Sequence, residues 1–167
     1  QLAELGCTLQ ALHVDHGLSP NAGDWSRFCA EQCASLDVPL CVERVVVAPD
    51  GRGLEAAARA ARYAVFARQS ADCIVLAHHL DDQVETFFMR LLRGAGVRGL
   101  AAMAEDTHWH GLRILRPLLA TSRAELLQYA QATRLRYVED ESNKDTALTR
   151  NYLRHRVLPA LEQRFPA

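Results

Sequence analysis

The chain has 167 residues, 49% of them apolar, and a formal net charge of −1. That leaves room for one ordinary domain with a real core and at most a small appendage. No apolar run approaches the roughly 20 residues of a membrane-spanning helix, and no signal peptide is visible.

The net charge conceals a gradient. Residues 1–85 carry 6 Arg and 12 Asp or Glu, whereas residues 86–167 carry 13 Arg or Lys and 8 Asp or Glu. An acidic half followed by a basic half suggests a polyanion docking on the second. Solvated helix faces in an arginine-rich chain are the plainer alternative. The five cysteines, at 7, 29, 33, 41 and 73, form no CxxC pair. They read as small buried thiols of a reducing cytoplasm.

In chain order, residues 1–6 read as the end of a helix closed by Gly6, which implies an earlier element before Gln1. Residues 7–14 read as a strand that delivers Asp15, His16 and Gly17 to its carboxyl end. Ser19-Pro20-Asn21 is turn chemistry, and Asp24 is the expected cap of a helix through Leu36. Val38–Val47 is the second strand. Residues 50–53 form a loop before a strong helix over 53–69, packed through Leu54, Ala58, Ala61, Tyr63, Val65 and Phe66. Arg59 and Arg62 on that helix are a solvated pair by default. Alternatively, one of them reaches over the sheet edge to grip a carboxylate or phosphate.

The most informative stretch is 72–99. Cys73–Ala77 reads as a buried strand that ends at His78-His79. Asp81-Asp82 then opens a helix with Val84, Phe87, Phe88, Leu91 and Leu92 at helical spacing. Glu85 shares a face with Asp81 (i,i+4) and Asp82 (i,i+3). Two carboxylates so placed can hold an ammonium group or a metal ion, at the strand end where α/β sheets bind ligands. An N-cap and a favourable dipole explain one Asp. They do not explain two His, two Asp and a Glu within eight residues.

Beyond it, Gly94, Gly96 and Gly99 match GxGxxG only formally, because they follow a helix instead of leading into one. A mobile basic loop is the better reading. Residues 112–117 suggest an edge strand ended by Pro117, and Thr121 or Ser122 starts a helix. Asp140, Ser142 and Asn143 form a polar turn. A last amphipathic helix carries Arg150, Arg154 and His155. The alternation of strands and helices predicts an α/β fold with a doubly wound parallel sheet, with a core over 1–120 and a short helical extension over 121–167.

Four segments together, HVDHGLSPNA (13–22), LEAAARAARYAVF (54–66), LAHHLDDQVETFFMRLLRGAGVRGL (76–100) and YVEDESN with TRNYLRHRVLP (137–143 and 149–159), resemble the catalytic domain of the bacterial tRNA(Ile)-lysidine synthetases. These are N-type ATP pyrophosphatases of the PP-loop superfamily. The resemblance implies a Rossmann-like nucleotide-binding fold and a two-step ligation. ATP adenylates C2 of the wobble cytidine of a CAU-anticodon tRNA(Ile). The ε-amine of L-lysine then displaces AMP, giving lysidine.

By the same resemblance, Asp82 and Glu85 take the lysine amine, and Arg59 or Arg62 its carboxylate. His78 or His79 lies near the reacting phosphate, Val14, Asp15 and His16 border the nucleotide, and Arg150 faces phosphate or cytidine. ATP and Mg²⁺ are expected, with no residue assigned as a metal ligand. The expected setting is cytoplasmic, with no membrane contact and room for a homodimer.

One departure stands out. The family's Ser-Gly-Gly-x-Asp-Ser phosphate loop is nowhere in the chain. It is expected upstream, and the 167-residue chain alone is expected to make no lysidine. Three competing readings have discriminating features. A tRNA 2-thiocytidine synthetase would want CxxC cysteines. A phosphohydrolase using His78, His79, Asp81 and Asp82 would want further metal ligands. A non-catalytic RNA-binding module would leave the acidic cluster unexplained.

Overall fold

The computed structural model describes residues 6–48, 51 and 53–166. The expected helix end before the first strand falls outside these residues, except for Gly6. Its φ of +74° suits a glycine that closes a helix. Two of the four residues of the loop over 50–53, Asp50 and Arg52, also lie outside them. The described residues form two compact units, divided between Ser70 and Ala71.

The first unit holds β1 (Ala11–Asp15), α1 (Ala22–Ser35), β2 (Leu40–Arg44) and α2 (Leu54–Phe66). β1 and β2 pair in parallel, Ala11 opposite Leu40 through Asp15 opposite Arg44. The turn before α1 is built as its residues suggest, with the Asn21 N–H donating to the Ser19 hydroxyl. Asn21, not Asp24, occupies the cap position. Asp24 sits in the first turn, where its charge suits the helix dipole, and pairs with Arg27. The buried apolar residues of this unit, Ala57, Tyr63, Val65 and Phe66, all come from α2. Leu54, expected inside, is 49% exposed at the helix start.

The second unit holds β3 (Cys73–Val75), α3 (Leu80–Leu92), α4 (Val97–Leu100), β4 (Asp106–Trp109), β5 (Leu112–Leu115) and α5 (Arg123–Ala132). A 3₁₀ turn (Glu141–Lys144) leads to α6 (Thr149–Tyr152), a π-helical turn (Leu153–Val157) and α7 (Leu158–Arg164). The strand order is β3-β5-β4, with β3–β5 parallel and β4–β5 antiparallel. Residues 112–115 are therefore a central strand, not the expected edge. Their neighbour β4 gave no sequence signal, because Asp106-Thr107-His108-Trp109 lacks an apolar alternation. Leu112 and Ile114 turn inward while Arg113 faces out onto Asp106.

The glycine-rich stretch after α3 is not an open loop. Gly94, at φ +73°, closes α3, and α4 follows. Arg90 on α3 donates to the carbonyls of Gly99 and Ala102 at 2.8 and 2.7 Å. Gln83 exchanges two hydrogen bonds with the Met103 backbone. The helix expected from Ser122 is present and starts with a capping box. The Glu125 N–H donates to the Ser122 hydroxyl, and the Glu125 carboxylate accepts the Ser122 N–H. The helical extension belongs to the same unit as α3.

Candidate active site

α3 inverts its expected pattern. Val84, Phe87, Leu91 and Leu92 keep between 36% and 69% of their surface, while Glu85 keeps none. The one fully buried residue of this amphipathic helix is a carboxylate. A buried charge needs a partner, and Glu85 has two. Arg154 Nε donates to Glu85 Oε1 at 2.6 Å, and Arg150 Nε lies 3.6 Å from Oε2. The spacing of Asp82 and Glu85 suggested a pair of open acidic groups. Glu85 is not open; its charge is matched inside the protein.

Asp82 is the more available of the two. Its Oδ2 accepts the His79 N–H at 3.0 Å, tying the start of α3, and its Oδ1 lies 3.8 Å from Arg150 Nη1. Asp81 is used structurally, accepting the Arg123 N–H at the start of α5 at 2.8 Å. The ring of His79 lies between the two Asp side chains, Nδ1 at 3.7 Å from Asp81 and Nε2 at 3.6 Å from Asp82. Those distances are electrostatic contacts, longer than hydrogen bonds. His78 sits beside it, half-buried. The second unit thus brings His78, His79, Asp82, Glu85 and Arg150 onto one helix start and the segment packed against it.

Sequence reasoning passed over two residues here. Arg154 has a place on the last helix in the sequence pattern but no role there. Asn151, buried, donates to the carbonyls of Ser142 and Asp145 at 2.7 and 2.9 Å and pins the 140–145 turn. Both stand in the same RN-x-x-R run as Arg150, and the i,i+4 spacing of Arg150 and Arg154 was a readable signal of a shared face.

The first unit gathers the other expected residues. Val14 and Asp15 end β1. Asp15 Oδ1 accepts the Gly17 N–H at 2.8 Å, and its Oδ2 lies 3.6 Å from Arg44. His16 is held below the usual imidazole basicity, first by burial and then by the charge of Arg62, with Asp15 opposing. Arg62 is thus near enough for its charge to act on the imidazole at this strand end. Arg59 instead lies over the Tyr63 ring, 4.7 Å from its centroid, and donates to the Tyr63 hydroxyl. Of the two arginines left open by the sequence, Arg59 is engaged by Tyr63 and Arg62 acts electrostatically on His16.

An α/β chain with parallel strand pairs and charged residues at the carboxyl ends of its strands belongs to the class of domains that bind ligands at that edge. The chain belongs to the PP-loop domain family, whose model matches residues 1–161. It is similar to the tRNA(Ile)-lysidine synthase of Shigella flexneri, 53% identical over 163 residues, which cover 96% of this chain and 38% of that protein. The synthase of Azoarcus sp. (strain BH72) is 50% identical over 165 residues, 97% of this chain and 37% of the relative. That of Actinobacillus pleuropneumoniae serotype 3 is 46% identical over 166 residues, 98% and 39%. The chain thus spans well under half the length of these curated relatives. Among solved structures, a U34-tRNA thiolase from Methanococcus maripaludis, with its iron–sulfur cluster, aligns with a TM-score of 0.72 over 95% of this chain and 58% of that one. At 17% identity that likeness shows the fold alone. No helix among the described residues is long and apolar enough to cross a membrane.

Proposed function

We propose that this chain is the catalytic α/β part of a tRNA(Ile)-lysidine synthase. Its nucleotide-binding core runs to about residue 120, and residues 121–167 complete the site. The observation that carries this reading is the 46–53% identity to named synthases across nearly the whole chain. The thiolase alternative has only a fold likeness behind it, and the five cysteines are free, with no CxxC pair.

In the first step the O2 oxygen of the wobble cytidine attacks the α-phosphorus of ATP, and pyrophosphate leaves. In the second the ε-amine of L-lysine attacks C2, the C–O bond to AMP breaks, and the amine loses its proton. Asp82 is the carboxylate for the amine, since one of its oxygens is not held by a backbone donor. Glu85 supports it from beneath by holding Arg150 and Arg154. Arg150 meets the negative charge that builds on phosphoryl oxygens. His78 and His79 lie near that phosphate. Val14, Asp15 and His16 border the nucleotide, and Arg62, more than Arg59, suits the lysine carboxylate. Among the described residues no three His, Cys, Asp or Glu side chains converge to cage a cation. Mg²⁺ would come with the nucleotide and would neutralise charge on its phosphates. The setting is cytoplasmic.

The test uses the whole protein that carries this chain, with ATP, labelled lysine and CAU-anticodon tRNA(Ile). Lysine enters the tRNA with one pyrophosphate and one AMP released per lysidine. Asp82→Asn raises the KM for lysine about 10- to 100-fold, the size of one charge-assisted contact, with tRNA binding retained. A wild-type protein that leaves lysine unincorporated would overturn the reading.

A further inference from the structure

Two carboxylates and two arginines meet where α3 packs against the α6 and π-turn segment, and their formal charges cancel. The contacts are unequal. Arg154 Nε is hydrogen-bonded to Glu85 at 2.6 Å. Arg150 stands at 3.6 Å from Glu85 and 3.8 Å from Asp82, close enough for attraction and too far for a hydrogen bond. Arg150 Nε and Glu85 Oε2 are both buried, and neither has a hydrogen-bond partner among the described residues. A carboxylate and a guanidinium left so would normally close into a two-pronged pair. Here the other oxygen of the carboxylate is already committed to a second arginine.

We infer that Arg154 is a positioning residue: by engaging the buried Glu85 carboxylate, it keeps Arg150 from collapsing onto it, so that the Arg150 guanidinium stays available to an anionic substrate group. Arg154 itself touches no substrate in this scheme. The inference rests on the assignment of Arg150 to phosphate or cytidine for its catalytic consequence, but not for its geometry.

Without Arg154, the Glu85 charge has one cation left. Arg150 moves about an ångström and is held by two charge-assisted hydrogen bonds. Taking the charge off Glu85 as well removes the pull. Glu85→Gln therefore repairs Arg154→Met. That is an unusual expectation for a residue at the floor of the site, and a purely structural role for Arg154 does not generate it.

Two readouts on the whole protein separate the geometry from the function. The first is modification of Arg150 by phenylglyoxal, followed by peptide mass spectrometry. Arg154→Met lowers the Arg150 modification rate at least severalfold, Arg154→Lys lowers it less, and Glu85→Gln/Arg154→Met returns it toward wild type. The second is lysidine formation, where Arg154→Met lowers kcat about 10- to 100-fold, leaves the KM for lysine unchanged, and adds nothing to Arg150→Met. Circular dichroism checks each variant for folding, and Arg154→Lys serves where Arg154→Met does not fold. Arg150 modification that is equal in wild type and every folded Arg154 variant overturns the inference. So does a Glu85→Gln/Arg154→Met protein whose Arg150 stays protected. Arg150 protection as expected, with no lysidine made by the wild type, upholds the geometry and sinks the functional reading instead.

Discussion

Glu85 is the residue on which the second unit depends most. Its carboxylate is fully buried, so its stability contribution is conditional on both arginines. Glu85→Ala takes the shared carboxylate from two partly exposed arginines, and the expected cost is about 2–3 kcal/mol in urea unfolding, below the full penalty of an uncompensated buried charge. Arg113 and Asp106 make a two-pronged pair at 3.1 and 2.6 Å, but on the surface, where water screens it. In the sequence Glu85 reads as a carboxylate on the face of Asp81 and Asp82, open to a cation from outside, and not as one buried among arginines. Sequence spacing reports a shared face, not which side of the helix that face turns to. His16 offers a second test. Its imidazole is less basic in the folded protein than the ordinary value of 6.5, chiefly through burial and Arg62. The folded state therefore prefers His16 neutral, and the unfolded state binds more protons as pH drops below 6.5. Its contribution is fully present above that pH and is lost below it. Melting temperatures followed from neutral pH downward should fall less steeply in His16→Gln than in wild type.

At the scale of elements, local chemistry was the most legible part. α5 begins where Ser122 said it would, because a Ser followed three residues on by Glu satisfies two helix-end N–H groups reciprocally. The Ser122 contacts hold the Glu125 carboxyl below its usual range. Ser122→Ala should cost about 1 kcal/mol of stability, read as a shift of the urea midpoint with an unchanged slope. β1, β2, β3, α1, α2 and α3 lie within a few residues of where turn signals and periodicity put them. The failures are tertiary. β4 carries Asp, Thr, His and Trp, and only its antiparallel register against β5 makes it a strand. The same strand turns β5 from an edge into a centre. The run after Gly94 looked loose by composition, yet Arg90 supplies the hydrogen bonds that fix it, and no local pattern announces a side chain reaching nine or twelve residues ahead. The last amphipathic helix was legible as a helix; its π-helical turn over Leu153–Val157, a feature frequent at functional sites, was not.

At the scale of the whole molecule, the charge gradient changes meaning once the chain is divided where it folds. Cut after Ser70, the first unit carries 6 Arg against 8 Asp or Glu, and the second 13 Arg or Lys against 12 Asp or Glu. The strongly basic half read from the sequence depended on cutting inside α3, between carboxylates and the arginines they serve. A unit so nearly neutral would attract a polyanion through local groups and not through its net charge. Asp82 is the point where this can be measured, because Asn keeps the oxygen that accepts the His79 N–H and removes only the charge. Asp82→Asn should leave folding intact and raise the affinity of non-specific RNA slightly. It should steepen the dependence of log K on log salt by no more than about 0.9, the value of one added phosphate contact. A module built simply to bind RNA would gain from that change and lose nothing. A ligase would gain the same fraction in binding and lose lysine transfer. Salt-titrated filter binding and lysine incorporation, run on one Asp82→Asn preparation of the whole protein, therefore separate the two readings, and unimpaired incorporation would remove Asp82 from the lysine site.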